Sequence, residues 1–152
     1  MQVCQDKPRT ETDNTYIPHG IDESKYYPIN ELDIKEWGDL LNFKRILTED
    51  GDYDFIVFWN NRNIRRKLPG DVIMAYKTFC DMLPIEKAKK CLLVMHTQPR
   101  DDNGTDLPEV VKHVCPDYEV VFSHKKLDDN ELCYLYNIAD VTINMASNEG
   151  FG

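Results

Sequence analysis

What most constrains this chain is an alternation that begins at Asp54: short continuous apolar runs take turns with longer stretches whose apolar residues recur at helical spacing. Phe55-Ile56-Val57-Phe58-Trp59 has no polar interruption, the pattern of a strand buried on both faces of a parallel sheet. Val72, Ile73, Tyr76, Phe79 and Leu83 then predict a helix, with Pro69-Gly70 ahead and Pro84 behind. The unit recurs in kind. Cys91–Met95 reads as a strand and is followed by a helix with Leu107, Val110, Val111 and Val114 on its apolar side, ended by Pro116. Glu119–Phe122 is the third strand. Leu132, Leu135, Tyr136 and Ala139 mark the next helix, with Asp128 or Asp129 as its cap and Glu131 in its first turn. Val141–Met145 is the fourth strand. Strands and helices alternating at this spacing predict an α/β fold, an open parallel Rossmann-like sheet with helices on both faces and strand order 3-2-1-4.

Ahead of this region the pattern is weaker. Residues 1–16 carry no period and read as a tail or the remnant of a preceding region, leaving residues 17–152 as a partial domain. Tyr16–Asp22 is turn-forming. From Ile29 to Leu47, Leu32, Trp37, Leu40, Leu41 and Phe43 fall on roughly one side and predict a helix interrupted or weakened at Gly38.

With 152 residues, 41% apolar and 30% charged, the chain has the balance of one globular domain. Its net charge of -9 argues against nucleic acid as a partner, because a phosphate backbone is met by a basic face. The polar start and the lack of a long apolar run place it on the cytoplasmic side, with room for a peripheral membrane association of a full-length parent. Five scattered cysteines without a Cys-x-x-Cys pair read as reduced structural thiols. His19, His96, His113 and His124 lie in separate elements, so no metal site is expected. Asp101–Asp106 resembles a calcium loop but has Gly104 at the wrong position, and reads as a solvated turn. Asn103-Gly104-Thr105, a glycosylation triplet, reads as a loop tip. Trp59, Tyr134 and Tyr136 are expected to be packing residues.

In such a sheet ligands bind beyond the carboxyl ends of the strands, near the switch between strands 1 and 4. After strand 1 comes Asn60-Asn61-Arg62-Asn63-Ile64-Arg65-Arg66-Lys67, with four cations in six residues of an otherwise acidic chain. Beside a helix N-terminus, such a cluster suits a phosphate or diphosphate. No Gly-x-Gly-x-x-Gly follows the strand and no P-loop occurs, so side chains must hold the phosphate. After strand 4, Ser147–Gly152 offers Glu149 as a hydrogen-bond acceptor and two glycines for close backbone approach.

These segments resemble a known family. Ile17-Pro18-His19-Gly20-Ile21-Asp22 is similar to the Ile-Pro-Asn-Gly-Val-Asp signature that opens the C-terminal domain of family-4 glycosyltransferases. Arg62 and Lys67 resemble the Arg and Lys of the family's Gly-Arg-Leu-x-x-x-Lys-Gly motif. Ala139-Asp140-Val141 with Ser147–Gly152 resembles its Ala-Asp-Val and Ser-x-x-Glu-Gly-Phe-Gly segments. The resemblance implies the donor-binding part of a retaining, metal-independent transferase of the GT-B fold, without a cofactor, using a nucleotide-diphosphate sugar and a glycan or other hydroxyl acceptor. Arg62 and Lys67 would neutralise the diphosphate, Glu149 would contact the donor sugar beside Gly150, Phe151 and Gly152, and main chain at Lys126 and Leu127 would lie against the base.

The chain departs from the family at Asn61 and Leu68, where the motif has glycine, and at His19, where it has asparagine. The family's second glutamate falls past Gly152, and the acceptor domain is missing. The expectation is therefore that this length of chain has no transfer activity alone and that its uncovered fourth strand offers an edge for self-association. Two other functions fit the same layers: a non-catalytic nucleotide-binding or interaction module and, less well, a sugar-nucleotide epimerase.

Overall fold

Four strands form a single parallel sheet: β1 (Phe55–Asn60), β2 (Cys91–His96), β3 (Glu119–Ser123) and β4 (Val141–Thr142), in the order β3-β2-β1-β4. The structure, a computed structural model, describes residues 20–149. The tail at 1–16, the signature residues Ile17, Pro18 and His19, Cys4, and Gly150, Phe151 and Gly152 lie outside the described residues. The expected order of an open Rossmann-like sheet is thus found. Register explains the continuous apolar runs: Phe55 pairs with Cys91 and Asn60 with His96, so the two central strands run side by side over their whole length.

Because successive side chains alternate faces, each central strand feeds two cores. Val57, Trp59, Leu93 and Met95 pack under α2 (Pro69–Asp81) and α4 (Leu107–Val114), together with Val72, Ile73, Tyr76 and Leu107. On the other face Ile56, Phe58, Leu92 and Val94 pack against Leu40 of α1 (Ile34–Leu47) and Leu135 of α5 (Asp129–Ile138). Burying an aliphatic or aromatic side chain this fully contributes about 1.5–3 kcal/mol relative to leaving it exposed. A short helix, α3 (Ile85–Ala88), which the periodicity does not announce, follows Pro84.

The helix ends are set by side chains. The Asp33 carboxylate accepts from the Glu36 N–H at 3.1 Å and the Asp106 carboxylate from the Glu109 N–H at 3.2 Å. Asp128 and Glu131 form a reciprocal capping box, which decides between the two aspartates offered as caps for α5. Four of the cysteines, Cys80, Cys91, Cys115 and Cys133, are buried and unpaired, and burial pushes the Cys80 thiol up to about 11.

Two expectations are corrected. Helix α1 runs through Gly38 without a break. It turns Trp37, Leu40 and Phe43 inward, leaving Leu41 half exposed, and Leu32, before the helix, is exposed. β4 is two residues long rather than five. The Ile143 N–H still donates to the Phe58 carbonyl at 2.8 Å, but the chain then leaves the ladder while Ile143 and Met145 turn onto the core under α2. The Asn103–Thr105 segment is an exposed turn, as expected of a loop tip, and Gly104 lies so close to Asn63 that a Cβ there would run into the Asn63 carbonyl oxygen. β4 is latched to β1 by a pair of bonds: the Ile56 N–H donates to the Asp140 carboxylate at 2.7 Å, and the Asp140 N–H to the Ile56 carbonyl at 2.9 Å. Among the described residues no helix is long and apolar enough to cross a membrane.

Candidate functional site

The carboxyl edge of the sheet carries the polar side chains. β1 ends at Asn60, and the chain passes Asn61, Arg62 and Asn63 into a single 3-10 turn, Arg65–Lys67. Leu68 closes that turn in the left-handed region, φ 51° and ψ 46°, and its carbonyl receives the Asp71 and Val72 N–H groups that open α2. A β-carbon in this conformation costs about 1–2 kcal/mol, which is the physical reason a glycine suits the position.

Asn60 and Asn61 form a ridge between two crevices. The first, about 330 Å³, lies over the ends of β1, β2 and β3 and is lined by Arg62, His96, Gln98, His124 and Lys126. The second, about 290 Å³, lies at the β1/β4 switch and is lined by Lys67, Tyr136, Thr142, Asn144 and Glu149. A larger groove of about 670 Å³ runs between residues 20–28 and α5, lined mainly by Ile21, Tyr26, Tyr27, Leu132 and Tyr136, and it holds no cation among the described residues. Charge and sheet topology both favour the edge crevices for an anionic ligand.

The basic segment divides between them. Arg62 turns to the β2–α4 loop, where Nε and Nη2 donate to the two Asp101 oxygens at 3.0 and 3.2 Å. That guanidinium, with the Asn103 N–H, holds the Asp101 carboxyl below the usual carboxylate range. Next to it, Asn63 is fully buried. Its Nδ2 donates to the Thr105 carbonyl at 2.7 Å and to the Gln98 and Pro99 carbonyls at 3.2 and 3.3 Å, while Oδ1 accepts from the Thr105 N–H at 3.1 Å. A buried amide with these bonds is a structural clasp between two loops.

Lys67 lines the other crevice, and Arg66, beside it, reaches the Glu149 that lines it. Arg66 Nη1 donates to Glu149 Oε2 at 2.8 Å and to the Asn148 carbonyl at 3.0 Å, and Lys67 Nζ pairs with Glu149 Oε1. Ser147 N–H donates to the Arg66 carbonyl at 2.8 Å, so the segment after β4 is stitched along the 3-10 turn. Lys67 and, after it, Arg66 hold the Glu149 carboxyl below its ordinary range. Tyr136, expected to be a packing residue, meets Phe58 edge-on but is exposed, and its hydroxyl accepts from Asn60 Nδ2 at 3.0 Å inside the crevice.

Of the residues expected at a site, Lys67 and Glu149 are brought together, while Arg62 and Lys126 line the neighbouring crevice. Leu127 packs into the core under α1 and α5. Gly150, Phe151, Gly152 and His19 lie outside the described residues. Sequence reasoning gave Arg66, Asn63 and Tyr136 no place at a site. Arg66 was visible only as one of four cations, and nothing local distinguishes Asn63 from its neighbours Asn60 and Asn61.

The Asp101–Asp106 loop folds as a turn, the Gly104 N–H donating to the Asp101 carbonyl at 2.9 Å. Among the described residues no group of three or more His, Cys, Asp or Glu side chains is arranged to hold a metal ion. His96, at the end of β2, has Nδ1 3.0 Å from Ser123 Oγ, and burial pushes its imidazole below the ordinary range. No protein-family model matches this chain, and no curated protein matches it.

Proposed function

We propose that this chain binds the nucleotide-diphosphate sugar donor of a retaining glycosyltransferase, the donor's phosphates lying along the carboxyl edge of the sheet at the β1/β4 switch. The observation that carries this reading is the convergence of Lys67, Arg66, Asn60, Asn61 and Glu149 on that edge, in a chain whose net charge is otherwise -9. Fixed cations are worth most where charge grows on a leaving diphosphate, and a carboxylate beside them can accept from sugar hydroxyls. The β2–β3 side, with Gln98, His124 and Lys126, offers polar groups and main chain against which a base can lie.

The reading is tested by presenting a panel of nucleotide-diphosphate sugars, the matching diphosphates and bare nucleosides to the protein in ligand-observed NMR. Saturable binding of one donor and its diphosphate, with little binding of the nucleoside, is the expected result. Nucleoside binding that does not depend on the phosphates would overturn it. A non-catalytic nucleotide-binding module predicts the same binding and differs only in giving no sugar transfer when the donor and an acceptor are supplied to the full-length protein.

A further inference from the structure

We propose that the anion-binding pair of the β1/β4 crevice is Arg66 with Lys67, that Arg62 is a strut for the neighbouring loop, and that Glu149 occupies the pair until a diphosphate displaces it. This deepens the donor-site reading and rests on it for the identity of the ligand as the diphosphate group of a nucleotide.

Three independent features support the assignment. First, one carboxylate is already shared by the two cations: Arg66 reaches one Glu149 oxygen at 2.8 Å and Lys67 the other. A carboxylate and a phosphate present oxygens of similar spacing and the same sign of charge to such a pair, and the phosphate carries more charge. Second, both cations stand on the 3-10 turn whose end is fixed by the left-handed Leu68 and by α2, so their backbone positions are set before any ligand arrives. Third, the Arg62 guanidinium is engaged by two bonds to Asp101, a side chain only 12% exposed, and lines the other crevice with Lys126. Bringing Arg62 to the Lys67 side would leave that shielded carboxylate with the Asn103 N–H and no cation.

Displacement has a consequence for the segment after β4. Asn148 is held through the Arg66 side chain and Glu149 through the Arg66 and Lys67 side chains, whereas Ser147 is held through the Arg66 backbone. A diphosphate that takes both side chains frees the carboxylate and leaves the Ser147 bond in place. Glu149 then swings about a fixed point and is available to sugar hydroxyls only when the phosphates are bound.

The test uses inorganic pyrophosphate titrated by calorimetry at low salt into the wild type, Arg66→Ala, Arg66→Gln, Arg62→Ala and Glu149→Gln, with thermal melts of each. Both Arg66 variants should weaken binding about tenfold or more, Arg62→Ala by no more than about twofold, and Glu149→Gln should tighten it severalfold. Arg66→Gln keeps a donor toward the Asn148 carbonyl, so a loss of binding with an unchanged melt is not a folding defect. An Arg62→Ala loss equal to that of Arg66→Ala, weaker binding by Glu149→Gln, or no pyrophosphate binding to the wild type would overturn the proposal. Binding of a nucleotide-sugar donor that depends on Arg62 would overturn this assignment and leave the donor site standing. Arg66-dependent pyrophosphate binding with no response to any nucleotide sugar would do the reverse.

Discussion

The two halves of the basic segment after β1 are chemically alike and structurally opposite. Asn63 and Arg62 are tied to the β2–α4 loop by a buried amide and a two-bond ion pair, while Arg66 and Lys67, only a few residues further on, are tied to a single carboxylate at the mouth of a crevice. The difference lies in what is given up when the contact is broken. Removing Asn63 takes away a fully buried amide and the bonds it makes to the Gln98, Pro99 and Thr105 backbone, whereas removing Arg66 or Lys67 leaves a carboxylate that water can reach. A run of cations read from sequence is therefore not one unit: Arg62 pairs with Asp101, Arg66 and Lys67 with Glu149.

The largest effect that would break the comparison concerns the half tied to the β2–α4 loop. Asn63→Ala should destabilise the fold by about 2–3 kcal/mol in urea unfolding, and Gly104→Val should do comparable damage from the other side of the same contact. If Lys67→Ala cost as much, the two halves would not differ in kind. Next in size is Leu68, the joint between the turn and α2. At this left-handed position Leu68→Gly should be more stable than Leu68→Ala by about 1 kcal/mol, the reverse of the usual ranking.

Gly38 supplies the matching control. It lies within α1 with open space where a Cβ would go, so Gly38→Ala should stabilise by about 0.5–1 kcal/mol. The smallest effect is on pH dependence. Burial lowers the folded-state value of His96, so the unfolded chain binds the extra proton first. Its contribution to stability is complete above the ordinary imidazole range of about 6.5 and is lost as pH falls below it. Thermal melts between pH 7.5 and 5.5 should therefore decline in the wild type and flatten in His96→Gln. The carboxyls of Asp101 and Glu149, lowered by their cations, act in a separate window, stabilising above the ordinary carboxyl range and losing that effect in stronger acid.

The layered sheet was legible because burial on both faces leaves a mark in the chain itself: β1 and β2 are apolar without interruption, and the alternation with helices admits few topologies. The same reasoning misjudged β4, since apolar pattern reports burial rather than pairing. Ile143 and Met145 are apolar because they pack under α2, not because they extend a ladder. Leu41 misled in a similar way, lying one position past Leu40 on a helix whose inward side is narrow.

The family resemblance pointed to Lys67 and Glu149, whose side chains the fold pairs, but the sequence could not distribute the arginines. Which of Arg62, Arg65 and Arg66 faces which crevice depends on a 3-10 turn and on Asp101, a partner 39 residues away from Arg62. The fixing role of Asn63 is equally non-local, since its partners lie in the loop that carries Gly104.

The Asp140–Ile56 latch has a consequence for how the protein acquires its shape. Its two residues are 84 apart in the chain, whereas β1–β2 and β2–β3 pairings close over less than half that separation. Loop-closure entropy rises with chain length, and a two-residue strand returns little pairing energy for it. β4 should then dock after the other three strands have assembled. In a refolding experiment the fluorescence change of Trp59, buried between β1 and α2, would precede the recovery of anion binding, and Asp140→Ala would widen the interval. The nascent chain would hold a packed interior for some time before it had anywhere to bind a ligand.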